Sequence, residues 1–135
     1  DEKSKMRLAN EMTITYKKYI GSKSFSDLKS KKSLTKFELS DFIIAICMKR
    51  DKDESIPEWE EIAATSMAVQ NMWLTCTSYN LGCYWSTPRY SHLLNSFLKL
   101  NKGEKCLGFF YIGSFEHKNL KRTKRSNYID KMEWM

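Results

Sequence analysis

The segment from Trp59 to Asn80 contains neither proline nor glycine, and apolar residues recur on nearly every face of the helix that it predicts. Ser55, Pro57 and a glutamate-rich first turn mark its start, because proline is preorganised for that turn and carboxylates favour the positive end of a helix. A helix that is apolar all round has to be buried all round. In a chain of 135 residues, we expect it either to form a central pillar or to be covered by a second subunit.

The rest of the pattern predicts one α+β domain over residues 1–135, because a chain of this length supports a single packed core. Glu2 to Ile20 has helical spacing and ends at Gly21. The apolar run Phe42 to Met48 is typical of a strand buried on both faces, which predicts a central strand. Weaker signals predict a polar connection over residues 22–36, an extended stretch at 83–85, and a short helix over 89–98.

The segment from Lys105 to Phe115 predicts a second strand. Within it, Gly108 and Gly113 mark places where another backbone or a ligand comes close. The tail from Glu116 to Met135 becomes apolar only near its end, and we expect it to run along a surface with those apolar residues docked on a partner.

The net charge of +7 comes mainly from lysines scattered along the chain. A nucleic-acid-binding domain more usually combines clustered arginines with exposed aromatic residues, so we expect no nucleic-acid partner and keep that class as the least favoured alternative. The basic cluster from Lys121 to Arg125 is dense enough to bind a phosphate group. The apolar runs are too short to cross a bilayer, and the amino terminus shows no secretory signal. We therefore expect a cytoplasmic protein without a membrane partner.

The four cysteines share no close spacing such as C-x-x-C, and each lies among apolar neighbours, where a thiol behaves as a small hydrophobic group. We expect neither structural disulfides nor a metal site. His92 and His117 are isolated in the sequence, and no nucleophile and base pair stands out. The chain's own side chains therefore predict no catalytic residue.

The order of several short motifs resembles the nitroreductase family of flavoproteins. The residues that carry the resemblance are Pro57-Glu58-Trp59-Glu60, Gln70, Leu81-Gly82, Tyr84-Trp85-Ser86-Thr87 and Gly108-Phe109-Phe110-Tyr111-Ile112-Gly113. The closest likeness is to small nitroreductases with a W-x-S/T-G loop. The resemblance implies a three-layer α/β/α sandwich around a mainly antiparallel sheet. It also implies an obligate homodimer that the long helix helps to build, with FMN bound at its interface.

The resemblance further implies an NAD(P)H oxidoreductase with ping-pong hydride transfer through flavin N5 to a small nitro- or quinone-like electron acceptor, chemistry that the cofactor itself supplies. The residues expected beside the flavin ring are Tyr84, Trp85, Ser86 and Thr87, and those expected near its phosphate are Arg122, Lys124 and Arg125. The region from Thr75 to Asn80 corresponds to a nicotinamide-contact region in some relatives.

Two features differ from the family pattern. Family members begin with a helix whose arginine-arginine-serine motif grips the flavin, and these residues contain no such motif, which predicts a fold shortened at its amino-terminal side. Pro88 stands where relatives usually carry glycine, and proline removes one backbone donor from the flavin edge. A non-catalytic flavin-binding or dimerisation remnant of the same fold is the alternative.

Overall fold

A computed structural model of the chain describes residues 1–21, 34–116 and 124–134. In chain order its main elements are helix α1 (Glu2–Ile20), strand β1 (Phe42–Lys49), helix α2 (Glu58–Ser78), strand β2 (Gly82–Ser86) and strand β3 (Glu104–Gly113). Short 3-10 helices occupy Ser91–Leu94 and Ile129–Lys131, and residues 34–38 form a short α-helix. Most of the predicted polar connection, residues 22–33, lies outside the described residues.

Local signals account for both ends of α1. The Asp1 carboxylate accepts a hydrogen bond of 2.6 Å from the Ser4 N–H, which satisfies one of the free donors at the helix start. Lys17 and Lys18 lie in the last turn, where positive charge favours the helix dipole. Gly21, with φ of 75°, ends the helix in a conformation that glycine adopts without strain. The predicted helix is confirmed with these bounds.

The sheet has the strand order β1-β3-β2, and both strand pairs are antiparallel. Strand β3 is therefore central, and its residues from Gly108 to Tyr111 are buried. The prediction that β1 is the central strand is wrong for the described sheet, where β1 lies at an edge and Phe42 is 67% exposed. An apolar run indicates that both faces of a strand are covered. Whether the strand is central or at an edge depends on how many other strands pair with it, and those strands come from distant parts of the chain.

The two faces of the sheet carry separate hydrophobic clusters. Phe109 and Tyr111 point toward α1, whereas Phe110 points toward α2, because successive strand residues alternate between faces. We call these sides the α1 face and the α2 face. The α1-face cluster contains Ala9, Met12, Phe37, Leu94, Cys106, Phe109 and Tyr111, and the α2-face cluster contains Ile46, Val69, Cys76 and Phe110. The predicted α+β sandwich of three layers is confirmed.

Helix α2 is not a central pillar of the chain. Only Val69 and Cys76 are buried along it, while most of its other apolar side chains remain exposed. Its first turn is attached to the sheet by polar contacts: Glu61 pairs with Arg50 and accepts a hydrogen bond of 2.7 Å from the Asp51 N–H, and Glu58 pairs with Lys105. The helix thus packs on the sheet with one narrow stripe, because the sheet offers it one face only.

Two smaller predictions also change. The helix predicted over residues 89–98 is reduced to the 3-10 helix Ser91–Leu94 and turns that reach Lys99, whose φ is 55°. Leu94 is completely buried, and Tyr90 and Leu98 pack beside it against the α1-face cluster without forming a regular amphipathic helix. In the part of the chain that the structure describes, no helix is long and apolar enough to cross a membrane.

Candidate functional site

The turn between α2 and β2 leads directly into the candidate loop, Tyr84 to Thr87, at the edge of the sheet. The Leu81 N–H donates a hydrogen bond of 2.9 Å to the Cys76 carbonyl, and Asn80 adopts a left-handed conformation with φ of 55°. Asparagine tolerates this conformation better than most residues. Strand β2 then pairs with β3 from Gly82 opposite Gly113 to Ser86 opposite Phe109. The predicted extended stretch at residues 83–85 is confirmed.

Gly108 lets β2 approach β3 closely. A Cβ atom on this residue would lie 2.2 Å from the Ser86 carbonyl oxygen and 3.1 Å from Trp85 Nε1, and its φ is 134°. Both the space and the backbone conformation therefore require glycine. The sequence marked Gly108 as a place of close approach, and the structure shows that the approaching group is the backbone of β2.

The indole N–H of Trp85 is buried and has no hydrogen-bond partner among the described residues. An unsatisfied buried donor costs about 1–3 kcal/mol, so such groups in native proteins call for an acceptor. Trp85 packs at the margin of the α2-face cluster, opposite Phe110 in the register. This donor, next to the Gly108 backbone, is the polar feature of the loop that most favours a bound acceptor group.

The candidate ring-side residues do not share one face. Tyr84 lies opposite Tyr111 on the α1 face, with ring centroids 6.5 Å apart, and the Lys36 ammonium lies 4.9 Å from the Tyr84 ring centre. Trp85 points to the α2 face. Ser86 is partly buried at the end of β2, and Thr87 is exposed beyond it. Ser86 lies opposite Phe109, so its side chain shares the α1 face with Tyr84. The structure therefore brings the Trp85 indole and the Ser86 backbone carbonyl together at Gly108, and it places the Tyr84 and Ser86 side chains on the other side of the sheet.

The predicted phosphate residues are only partly described. Lys124 and Arg125 begin a described tail, residues 124–134, in which every side chain is exposed. Arg122 and His117 lie outside the described residues. The assignment of these basic residues to a phosphate group stays a prediction.

The other predicted positions border the same turn. Thr75 to Ser78 form the last turn of α2, and Tyr79 and Asn80 continue directly toward β2. Pro88 accepts a hydrogen bond of 3.0 Å from the Ser91 N–H through its carbonyl, which starts the 3-10 helix. The region assigned to nicotinamide contact and the proline departure thus lie at the two ends of β2.

Two cavities of the described chain differ in their relation to these residues. A cavity of about 500 Å³ lies between the start of α1, the start of β1 and Phe97, and none of the candidate residues lines it. A shallower one of about 210 Å³ lies at Gly82 and Gly113, and Tyr84 is the one candidate residue in its lining. Pockets for small ligands usually measure about 300–1,000 Å³. Neither cavity combines the candidate residues with room for a flavin.

Burial keeps the Cys83 thiol and the Tyr111 phenol, both beside the loop, neutral near pH 7. Burial raises the pKa of Cys83 to about 11, and the neighbouring Cys76 thiol adds to that shift. Burial also raises the pKa of Tyr111. A thiolate nucleophile is therefore disfavoured at Cys83. The contact of Tyr111 with Tyr84 escaped the sequence reasoning, because it depends on the register between β2 and β3.

Comparisons with known proteins agree with this arrangement. Residues 1–114 match a family model described as the nitroreductase family. The fold matches the crystal structure of a nitroreductase-like family protein from Bacillus cereus with a TM-score of 0.74 and 23% sequence identity, covering 97% of this chain and 67% of that chain. A comparison with curated proteins gives no match. Because the family model covers most of its residues, the chain belongs to the nitroreductase family.

Proposed function

We propose that the chain is an FMN-dependent NAD(P)H oxidoreductase that reduces small nitro- or quinone-like acceptors. The family match over residues 1–114 carries this proposal, since its members are in general flavin-dependent oxidoreductases. Bound FMN would supply the chemistry by accepting a hydride from NAD(P)H and passing it to the acceptor. The protein supplies binding, orientation and electrostatics.

The loop at the end of β2 offers donors that fit the isoalloxazine ring. The ring carries carbonyl and nitrogen acceptors, and the Trp85 indole N–H is a buried donor without a partner in the described chain. The Ser86 and Thr87 hydroxyls follow it along the loop. The Tyr84 and Ser86 side chains lie on the α1 face, opposite the Trp85 indole, so Trp85 is the strongest of the four ring-side candidates.

The basic residues of the tail fit the phosphate end of FMN by charge. Lys124 and Arg125 are adjacent and exposed, and a phosphate group pairs well with an arginine fork next to a lysine. Arg122, outside the described residues, belongs to the same basic cluster. These residues would hold the cofactor rather than take part in hydride transfer.

A homodimer completes the proposal. The outer face of α2 exposes Trp59, Met67 and Leu74, with Met67 and Leu74 seven residues apart and therefore on one side of the helix. Contiguous apolar surface of this kind marks an interface in a soluble protein. A second copy packed on this face would bury the helix that the sequence predicts to be buried all round.

The direct test is flavin binding by the purified chain. We expect added FMN to remain with the protein through gel filtration, with an absorption band at about 450 nm, and the complex to oxidise NADH or NADPH when a quinone is supplied. A chain that is folded by circular dichroism yet stays colourless with excess FMN would contradict the proposal. Flavin binding without oxidation of either nucleotide would instead support the non-catalytic remnant.

Riboflavin separates the two ends of the cofactor, because it has the ring but no phosphate. We expect Lys124→Ala/Arg125→Ala to weaken FMN binding at least about tenfold while leaving riboflavin binding unchanged. Lys131→Ala is the matched control, since it removes an exposed positive charge from the same tail. Equal loss in the variant and the control would show that the tail acts only by its overall charge.

The dimer is tested by light scattering after gel filtration. We expect Met67→Glu/Leu74→Glu to give a monomer, because two carboxylates would have to be desolvated in the interface. Ser96→Glu is the control, as it adds an acid at an exposed site in the turn after the 3-10 helix Ser91–Leu94. A parent chain that is monomeric at all concentrations measured would contradict this part of the proposal.

A further inference from the structure

Cys47 and Cys106 lie directly opposite each other across β1 and β3. The register pairs their Cα atoms at the position where a bulge interrupts the ladder, between Ile46 and Cys47. They are 59 positions apart in the sequence, which is why no C-x-x-C spacing announces them. Strand pairing therefore brings together two thiols whose proximity cannot be read from the spacing of the cysteines.

The two side chains point to the same side of the sheet. Cys106 belongs to the α1-face cluster, whereas Ile46, the neighbour of Cys47, belongs to the α2-face cluster. Because strand residues alternate, Cys47 points to the α1 face with Cys106. Burial raises the pKa of both thiols, and the interaction between them offsets part of that rise at Cys47 and adds to it at Cys106, as expected for groups in close proximity.

Opposed residues of an antiparallel pair have the separation that a disulfide requires. Their Cα atoms lie about 4.5 or 5.5 Å apart, depending on the type of pair, and disulfides span Cα separations of about 4.4–6.8 Å. The spacing of paired strand residues is therefore compatible with a bond between these two thiols.

The pair is asymmetric in access to solvent. Cys47 is exposed, whereas Cys106 is 5% exposed and its Sγ lies 3.6 Å from the Gly108 carbonyl oxygen, to which it donates. A reagent therefore reaches Cys47 first. Burial raises the pKa of both thiols, for Cys106 to about 11, and the Glu104 carboxylate adds to the shift at Cys47. Both thiols are largely protonated near pH 7, so their reaction is slow there and faster at higher pH.

We propose that Cys47 and Cys106 form a modification site for low-molecular-weight disulfides such as oxidised glutathione. The Cys47 thiolate attacks one sulfur of glutathione disulfide, which breaks the S–S bond, forms a mixed disulfide and releases one glutathione. Cys106, as a thiolate, then attacks the Cys47 sulfur and releases the second glutathione. The two protein thiols lose two electrons and two protons, and one glutathione disulfide becomes two glutathiones.

The second close pair provides an internal comparison. Cys76 and Cys83 also interact, and they lie in the α2-face cluster, where Cys76 is buried and Cys83 is partly buried. Neither is as open to a reagent as Cys47. Exposure therefore predicts that the cross-strand pair reacts first.

The test is incubation of the full chain with oxidised glutathione at about pH 9, followed by intact mass measurement, and then by alkylation and peptide mapping without reduction. We expect a loss of about 2 Da, with the bond mapped to Cys47 and Cys106. Cys106→Ser should instead retain one glutathione on Cys47, and Cys47→Ser should leave Cys106 unreacted. Cys76→Ser/Cys83→Ser should still form the bond.

Several results would overturn this inference. A glutathione that stays on Cys47 of the parent chain would show that Cys106 cannot reach it, and a Cys76–Cys83 bond formed first would refute the argument from exposure. A bond between two chains would also count against it. If Cys106→Ser does not fold by circular dichroism, the parent chain and Cys47→Ser decide the question, because Cys47 is exposed and its replacement leaves the core intact.

Discussion

Replacing Gly108 with alanine tests the close approach of β2 to β3. The new Cβ would lie 2.2 Å from the Ser86 carbonyl oxygen, so one of the two backbones has to move. The backbone conformation, with φ of 134°, costs a non-glycine residue about 1–3 kcal/mol. Overpacking in a well-packed interior adds about 1–3 kcal/mol. We therefore expect Gly108→Ala to lower the free energy of unfolding by about 4 kcal/mol.

Gly103→Ala separates the two contributions. Gly103 also has a positive φ, of 82°, but its nearest neighbour would be the Arg50 Cβ at 3.8 Å, so this variant carries backbone strain without a collision. We expect it to cost about 1 kcal/mol. The assay is urea unfolding monitored by circular dichroism. The unfolding midpoints of the two variants are compared under the condition that their m-values are equal. A slope of about 1.5 kcal/mol/M turns 4 kcal/mol into a midpoint shift of about 2.7 M. A loss in Gly108→Ala no larger than in Gly103→Ala would refute the reasoning.

Two further predictions concern the core and the acidic side of the pH range. Leu94→Ala should destabilise the chain by about 2–5 kcal/mol, because Leu94 is 0% exposed. Leu39→Ala, at a 74% exposed leucine, should change stability by less than about 0.5 kcal/mol in the same urea assay, and similar losses in both would contradict the assigned burial. Hydrogen bonds from Ser55 lower the pKa of Asp51 below its ordinary 3.8, and the Lys105 ammonium lowers the pKa of Glu58 below its ordinary 4.5. Since both folded-state pKa values lie below the unfolded ones, their stabilising contributions are complete above about pH 5 and are lost as the pH falls through the folded values. Asp51→Asn/Glu58→Gln should therefore flatten the decline of the urea midpoint from about pH 5 to about pH 3, and an unchanged slope would show that these contacts do not contribute.

The helices and strands follow largely from local patterns. Helix α1 combines an Asp1 cap, helical spacing and a terminal Gly21, and the structure reproduces those bounds. The continuous apolar run and the two glycines of this segment predict strand β3. Such signals involve residues within a few positions of one another, so they can be read without knowing what the chain packs against.

The surroundings of α2 could not be predicted in the same way. Its apolar residues predict a helix that is covered on all sides, but they do not say which residues provide the cover. In the described chain the sheet covers only the stripe that includes Val69 and Cys76. Its other apolar side chains are mostly exposed in the described chain, and their cover by a second copy stays a prediction.

The candidate site was also predicted only in part from the sequence. The motif order from Pro57 to Gly113 pointed to the nitroreductase family, and the family match confirms that assignment. The alternation of strand residues, however, separates the Tyr84 and Trp85 side chains onto opposite faces. The motif alone does not show this separation, because consecutive letters do not say toward which helix each side chain of the strand points.

By itself, the sequence determined where the two long helices and the three strands lie, the α+β class and the family, because these depend on short-range spacing and on motif order. The tertiary structure decided that β3 rather than β1 is central, that Gly108 receives the Ser86 carbonyl, and that Cys47 meets Cys106. The physical reason is that strand pairing joins residues far apart in the chain, and its register follows from the combined packing of both faces of the sheet.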